Sequence, residues 1–179
     1  MANSRASPAG RITCVLAKWR IYYSHMAQDL DILRGFLSRG TPGPHYYVVL
    51  LGLHTYDLPD LLRSVQRGFA FGVLERLHRN VAIDIDDLSD LVQISQRTLT
   101  RRRKEGRFLP EESDRLVRAS RLLAKAIELF EGDADSARGW LSSPQVALGG
   151  AVPLEVAKTE LGVREVEALI GRLEHGVFS

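Results

Sequence analysis

Basic side chains are concentrated between residues 95 and 107, in the segment "SQRTLTRRRKEGR". Six basic residues and one acid, Glu105, lie from Arg97 to Arg107. Like charges at positions i and i+4 destabilise a helix by roughly 0.2–0.5 kcal/mol per pair, and phosphate oxygens would relieve that repulsion. Guanidinium and ammonium groups at this density also suit hydrogen bonds to base edges. We therefore interpret the segment as a nucleic-acid contact rather than an ordinary solvated helix face.

A helical projection divides this basic segment into two sets. With about 100° of rotation per residue from the apolar Leu99, three cations fall on the opposite side. These three, Arg97, Arg101 and Lys104, are called the projecting basic face below. Arg102 and Arg103 fall nearer Leu99 and would extend past the edge of the core. The predicted DNA-contacting residues are Ser95, Gln96, Arg97, Thr98, Arg101, Arg102, Arg103, Lys104 and Arg107, with base contacts expected in the first turn and phosphate contacts from Arg102 onward.

Two short helices must position this segment. In "AIDIDDLSDLV" the apolar residues Leu88, Leu91 and Val92 have helical spacing, and Ser95 is a good N-cap for the helix that follows. Two helices joined by a short turn are typical of a helix-turn-helix motif. Two features oppose this interpretation. Gln93 holds a turn position often occupied by glycine, and the first helix is acidic at Asp84, Asp86, Asp87 and Asp90.

The rest of the pattern predicts an all-α fold. A long helix follows Pro110 and ends before Gly132, Asp133 caps a short helix that reaches Leu141, and Gly68 ends a helix that begins near Leu58. A further helix is expected over about 71–77, and two final helices over 153–160 and 163–174, separated by Gly162. "YYVVLLGL" at 46–53 favours a strand, although a buried helix is also compatible with its length.

Composition and motif content exclude several classes of protein. The 179 residues are 45% hydrophobic and 26% charged, as in ordinary globular proteins, and Cys14, the sole cysteine, rules out an internal disulfide. The apolar run at 46–53 is too short to span a membrane, and no signal peptide is evident, so we predict a cytoplasmic protein. The five histidines lack metal-ligand spacing, and paired acids fall in first turns of helices. We predict no catalytic residues, no metal and no cofactor.

Five motifs occur in order through the second half of the chain: "RTLTRRR" (97–103), "EESDRL" (111–116), "WLSSP" (140–144), "LGGAVPLE" (148–155) and "HGV" (175–177). Together they resemble the Xre/MbcA/ParS family of bacterial antitoxins, densely over about 81–178 and more weakly over 29–80. The resemblance implies an Xre-like helix-turn-helix core followed by a small helical toxin-binding region. It also implies repression of its own promoter by the complex with the toxin. A homodimer on operator DNA is expected because helix-turn-helix proteins commonly read two half-sites.

The resemblance further implies a partner, a RES-domain toxin that depletes NAD and whose active site the antitoxin covers. By position, the toxin-facing region is 140–154 together with the tail 175–179. The predicted toxin-binding residues are Trp140, Leu148, Gly149, Gly150, Pro153, Leu154, His175, Gly176, Val177 and Phe178. The residues alone favour core packing for Trp140. They leave open whether the tail enters a partner's cleft or folds back on its own helix.

These interpretations predict four regions. Residues 1–28 form a poorly ordered extension, in which either Met1 or Met26 is the natural start; 29–80 form an N-terminal helical region; 81–131 form the helix-turn-helix domain; and 132–179 form the toxin-binding domain. The alternative function is a stand-alone helix-turn-helix transcriptional regulator with a C-terminal dimerisation region. A third hypothesis is a protein-binding module with no role in DNA binding.

Overall fold

A computed structural model describes residues 45–53 and 57–176 of the chain, all of which belong to the unit Gly40–Ser179. The predicted N-terminal extension lies outside these residues. The described helices are α1 (Tyr46–Leu50), α2 (Leu58–Arg67), α3 (Gly72–Val81), α4 (Ile85–Leu91), α5 (Gln96–Glu105), α6 (Pro110–Leu129), α7 (Ala134–Leu141), α8 (Pro153–Val156) and α9 (Glu160–Glu174), with a 3-10 turn at Val146–Leu148. The predicted all-α class is confirmed. Within the described ranges, no helix has the length and apolarity needed to cross a membrane.

Helix α6 is the centre of the packing. Pro110 occupies its first turn, where a missing N–H is harmless, and the Glu112 side chain accepts a hydrogen bond from the Leu109 N–H at 2.8 Å. The helix packs against α1, α2, α3, α7 and α9. Its buried face includes Leu116, Leu122 and Leu123, and each such leucine contributes about 1.5–3 kcal/mol through burial. The core therefore forms around α6, with the other helices arranged about it.

The strand favoured for 46–53 is wrong, because Tyr46–Leu50 is helix α1. Four of its five residues are buried, so its sequence is apolar on nearly every side and carries no helical period. Two side chains complete its C-terminal hydrogen bonds. The Asn80 amide donates to the carbonyl of Leu50 at 2.9 Å, and the Arg76 guanidinium donates to that of Leu51 at 3.1 Å. These bonds satisfy carbonyls that have no partner inside the helix.

The predicted break at Gly162 is also wrong. Helix α8 ends earlier, at Val156, and Gly162 lies in the first turn of α9, where its N–H donates to the Thr159 side chain at 3.0 Å. A Cβ at this position would lie 1.7 Å from the carbonyl oxygen of Val156. Glycine is therefore required by the close approach of α8 and α9. The predicted helix starts at Ser95 and Asp133 and the predicted helix end at Gly68 are confirmed. Helix α3 extends to Val81, four residues beyond the predicted end at Leu77.

Candidate nucleic-acid and partner-binding surfaces

The helix-turn-helix consists of α4, a turn over 92–95 and α5. Leu88 and Leu99 are buried between the two helices and the core. The side chain of Asp84 caps α4 and that of Ser95 caps α5, by accepting from the backbone N–H of Thr98 at 3.3 Å. Gln93 has a φ of +54°, in the left-handed region. The turn thus has the backbone conformation that glycine usually supplies, but it is formed by glutamine.

The projecting basic face is exposed along α5, as the helical projection predicts. All three cations, Arg97, Arg101 and Lys104, are exposed. None makes a hydrogen bond or ion pair within the described part of the chain. Long cations that form no intramolecular contacts are available to an anionic partner. Their role in DNA binding remains a prediction.

The predicted phosphate contact of Arg102 is wrong. This residue is 6% exposed, and its guanidinium donates to both carboxylate oxygens of Glu112, at 2.7 and 3.0 Å, and to Glu105 at 2.5 Å. The hydrogen bonds to Glu112 and Glu105 raise the pKa of Arg102 above its ordinary value, and the hydrogen bond to Glu112 has the larger effect. A buried guanidinium with two carboxylate partners cannot reach a phosphate group. Arg102 instead ties α5 to α6.

Arg103 and Arg107 remain exposed but contact the body of the domain. The Arg103 guanidinium lies 5.1 Å from the centre of the Phe71 ring and 3.8 Å from a carboxylate oxygen of Glu75. Arg107 donates to the backbone carbonyls of Arg67 and Gly68, at 3.0 and 2.7 Å, where α2 ends. Both side chains therefore have structural partners, and their predicted phosphate contacts would have to be made in addition.

The polar residues of the first turn of α5 form a network with α4. The Gln96 amide donates to the Asp86 carboxylate at 2.5 Å and to the Ser89 hydroxyl at 3.2 Å. The Ser95 hydroxyl donates to that of Thr98 at 3.0 Å. The bonds of Gln96 hold the start of α5 against α4, and the bond between Ser95 and Thr98 lies within the first turn, so Arg97 is the first-turn side chain that has no such partner.

A small loop follows α7 and is closed at its base. The N–H of Gln145 donates to the carbonyl of Ala151 at 3.0 Å, and the Gln145 side chain donates to the carbonyls of Trp140 and Ser143, at 3.1 and 3.0 Å. Gly149 and Gly150 have φ values of +67° and +85°, which L side chains adopt at a cost. We call residues 145–151 the closed loop. Its hydrogen bonds fix its shape before any partner binds.

Val146 lies within the predicted toxin-facing range 140–154, although it is not among the residues named there as contacts. It lies in the 3-10 turn of the closed loop and is 95% exposed. Gly149 and Gly150 beside it are exposed as predicted for contact residues, and Leu148 is half-buried. An apolar side chain that is exposed on a preformed loop can contact an apolar surface of a partner with little loss of conformational entropy. Only the fold reveals it, because a valine in a loop carries no sequence signal of exposure.

The other predicted toxin contacts lie in three settings. Pro153 and Leu154 are buried within the chain itself, so a partner would have to displace packed residues to reach them, and their contact with a toxin stays a prediction. Trp140 is half-buried, with its ring 6.4 Å from that of Phe130. His175 and Gly176 are exposed just after α9, and Val177 and Phe178 lie outside the described residues.

Comparison with protein families gives two adjacent matches. Residues 60–121 match the antitoxin Xre-like helix-turn-helix domain, and residues 125–176 match the antitoxin Xre/MbcA/ParS C-terminal toxin-binding domain. The first match contains the turn and the projecting basic face. The second contains the closed loop and α9.

Similar proteins match across both regions. The chain is 43% identical over 120 residues to a protein named antitoxin Xre from Yersinia enterocolitica, covering 66% of this chain and 81% of that protein. It is 29% identical over 157 residues to an antitoxin Xre from Photorhabdus laumondii, covering 87% and 96%. It is 25% identical over 151 residues to a protein named Prs ADP-ribosylating antitoxin from a Sphingobium strain, covering 79% and 92%.

Proposed function

Since the chain belongs to the Xre/MbcA/ParS family of antitoxins, we propose that it neutralises a RES-domain, NAD-depleting toxin by covering its active site, and that it represses its own operon through α5. The relatives are antitoxins built from a helix-turn-helix domain and a toxin-binding domain, which are not enzymes. The prediction that this chain is not an enzyme is therefore confirmed.

The toxin-binding half of the proposal rests on the closed loop. Val146 is exposed in this loop, and the backbone hydrogen bond from the Gln145 N–H to the Ala151 carbonyl closes the loop at its base. A preorganised apolar contact loses little conformational entropy on binding. The name of the Sphingobium relative includes ADP-ribosylation, a reaction that consumes NAD, which supports a partner that uses NAD.

The DNA-binding half rests on the projecting basic face, the observation that carries this part of the proposal. Three exposed cations without partners among the described residues lie on the second helix of a helix-turn-helix, the helix that enters the major groove in such motifs. Motifs of this kind usually read two half-sites as dimers. We therefore propose that the chain binds operator DNA as a homodimer.

Co-expression tests the antitoxin role directly. The product of the neighbouring gene, which we propose to be the RES-domain toxin, is expressed in bacteria with and without this chain, and growth and cellular NAD are measured. We expect growth arrest and NAD loss with the toxin alone, and recovery of both with the chain present. Continued NAD loss despite soluble expression of both proteins would refute the toxin part and favour the stand-alone regulator.

Two substitutions on the projecting basic face should separate base reading from phosphate contact. Arg97→Ala is expected to change sequence preference, with a loss of about 1–3 kcal/mol on the preferred site, because Arg97 lies in the first turn of α5. Lys104→Ala should weaken binding on all sequences and lower the slope of log K against log salt by about 1. Both are measured by titrating duplexes from the upstream region at several salt concentrations.

Arg121→Ala provides the matched control for these two variants. Arg121 is an exposed cation on α6 with no side-chain partner among the described residues, so its removal changes net charge equally but away from α5. We expect near-wild-type DNA affinity from it. Equal losses from Arg121→Ala and Lys104→Ala would show that net charge, and not the projecting basic face, determines binding.

A further inference from the structure

Gln93 adopts a backbone conformation that glycine would adopt more easily. Its φ of +54° lies in the left-handed region, where a side chain crowds the following carbonyl. The side chain of Gln93 is used at long range, because its amide donates to the backbone carbonyl of Lys158 across 65 residues of sequence. The glutamine therefore bonds the helix-turn-helix turn to the C-terminal region, which a glycine could not do.

Lys158 makes a second contact with the same motif. Its ammonium group lies 2.8 Å from a carboxylate oxygen of Glu155 and 3.1 Å from a carboxylate oxygen of Asp90. The hydrogen bond to Glu155 has the largest effect on the pKa of Lys158, and together with the hydrogen bond to Asp90 it raises that pKa. Asp90 lies in the last turn of α4, three residues before Gln93. The Lys158 backbone thus contacts the turn at Gln93, and the Lys158 side chain contacts the last turn of α4 at Asp90. Helix α8, which precedes Lys158, also packs against α4.

The same short stretch of chain leads back to the closed loop. From Ala151, at the base of that loop, the chain passes through Val152 into α8 and then to Lys158. Pro153, Leu154 and Ala157 on this stretch are buried, so it is packed in place rather than free in solvent. Because the closed loop keeps its shape, a partner that displaces it would move it as a rigid unit, and this displacement would be carried through the packed stretch to Lys158 and from there to the turn that precedes α5.

We infer that Gln93 is a positioning residue that couples the two binding surfaces, so that a toxin bound at the closed loop changes the DNA affinity of α5. The inference rests on the proposed function, since it requires both partners. This role also explains why the position holds glutamine, although glycine would adopt its left-handed backbone conformation with less strain. A coupling of this kind is reciprocal, so DNA changes toxin affinity by the same factor.

Gln93→Gly tests the coupling, with Glu131→Gly as its matched control. Both residues have left-handed backbones, with φ values of +54° and +55°, and both are exposed. Each substitution relieves the same backbone crowding, but only Gln93→Gly removes the bond to Lys158. Equal melting temperatures for the two variants would show that any difference between them is not a folding defect.

The first readout is the dissociation constant for the duplex upstream of the coding sequence, measured with and without the proposed RES-domain toxin, taken as the product of the neighbouring gene. We expect the toxin to change this constant by about fivefold or more in wild type and in Glu131→Gly, the usual lower range of such couplings. In Gln93→Gly the change should fall below about twofold. The same coupling in Gln93→Gly as in wild type, or none in wild type, would overturn the inference.

The second readout does not depend on DNA. Backbone amide hydrogen exchange over residues 92–99 is compared in the free chain and in the toxin complex. We expect the toxin to alter exchange there in wild type and in Glu131→Gly, but not in Gln93→Gly. A bound toxin with unchanged exchange at 92–99 would overturn the inference and leave the proposed function intact. A toxin that does not bind the chain at all would overturn both.

Discussion

Replacement of Glu112 with alanine is expected to lower the free energy of unfolding by about 3–5 kcal/mol, because it leaves a buried guanidinium without its main carboxylate partner. Glu112 accepts both of the Arg102 hydrogen bonds that cross between α5 and α6, and both side chains are buried. The same carboxylate accepts from the Leu109 N–H at the start of α6. Urea unfolding at neutral pH, followed by circular dichroism, measures the loss.

Glu105→Ala is the matched control, since Glu105 also binds Arg102 but has a half-exposed side chain. It should reduce stability by less than about 1 kcal/mol, as exposed ion pairs do. The double variant Arg102→Met with Glu112→Leu should recover most of the loss, because it removes both buried charges together. Equal small losses from Glu105→Ala and Glu112→Ala would show that burial of the pair contributes little.

The same pair should appear in the pH dependence of stability. Burial by itself raises the pKa of the Glu112 carboxyl, but hydrogen bonds from Arg102 and from the Leu109 N–H outweigh it and lower the pKa below its ordinary value. The stability from this group is therefore fully present above the unfolded pKa of about 4.3. It is lost as pH falls through the lower folded value. Below about pH 4, wild type should lose stability more steeply than Glu112→Gln.

Val146→Asp is expected to weaken toxin binding by at least about thirtyfold, or ~2 kcal/mol, while leaving the fold unchanged. The side chain is 95% exposed, so a carboxylate there meets only water in the free protein. In a complex that covers the closed loop, the same carboxylate would have to be desolvated against an apolar pocket. Calorimetric titration with the toxin measures the affinity, and the NAD level of co-expressing cells measures its consequence.

Leu161→Asp is the control for this substitution. Leu161 is 71% exposed on α9, outside the closed loop, so the variant introduces the same charge at another exposed apolar residue. We expect wild-type affinity and full protection of cells from it. If Val146→Asp protects cells as well as Leu161→Asp does, the closed loop does not anchor the toxin.

The sequence predicted correctly those helix ends that depend only on neighbouring residues. Ser95 and Asp133 cap their helices because a side-chain oxygen reaches the N–H groups of its own first turn. Gly68 ends α2 because its φ of +77° suits glycine. Helix α1 escaped prediction because an apolar run buried on nearly all sides has no period that separates helix from strand. The predicted helix break at Gly162 is wrong because glycine occurs both where helices end and where two helices pack closely, and the sequence does not distinguish the two cases.

The candidate binding surfaces show the same difference between features that depend on neighbouring residues and features that depend on tertiary packing. The helical projection separated the exposed Arg97, Arg101 and Lys104 from Arg102, since it needs only the angle between residues. It could not show that Arg102 is buried against Glu112, because that contact depends on how α5 packs on α6. The family resemblance located the segment that contains the closed loop, but only tertiary packing distinguishes the buried Pro153 and Leu154 from the exposed Val146.

The ion pair between Arg102 and Glu112 also bears on how this protein can be removed from the cell. A protease cleaves a segment that is locally unfolded, and segments with few buried contacts unfold most easily. Opening of α5 alone would break the ion pair between Arg102 and Glu112 and expose the buried Leu99, and α6 is packed against five other helices. Cleavage within the helix-turn-helix should therefore track unfolding of the whole domain. The rate of cleavage at these helices should therefore follow the stability of the whole domain.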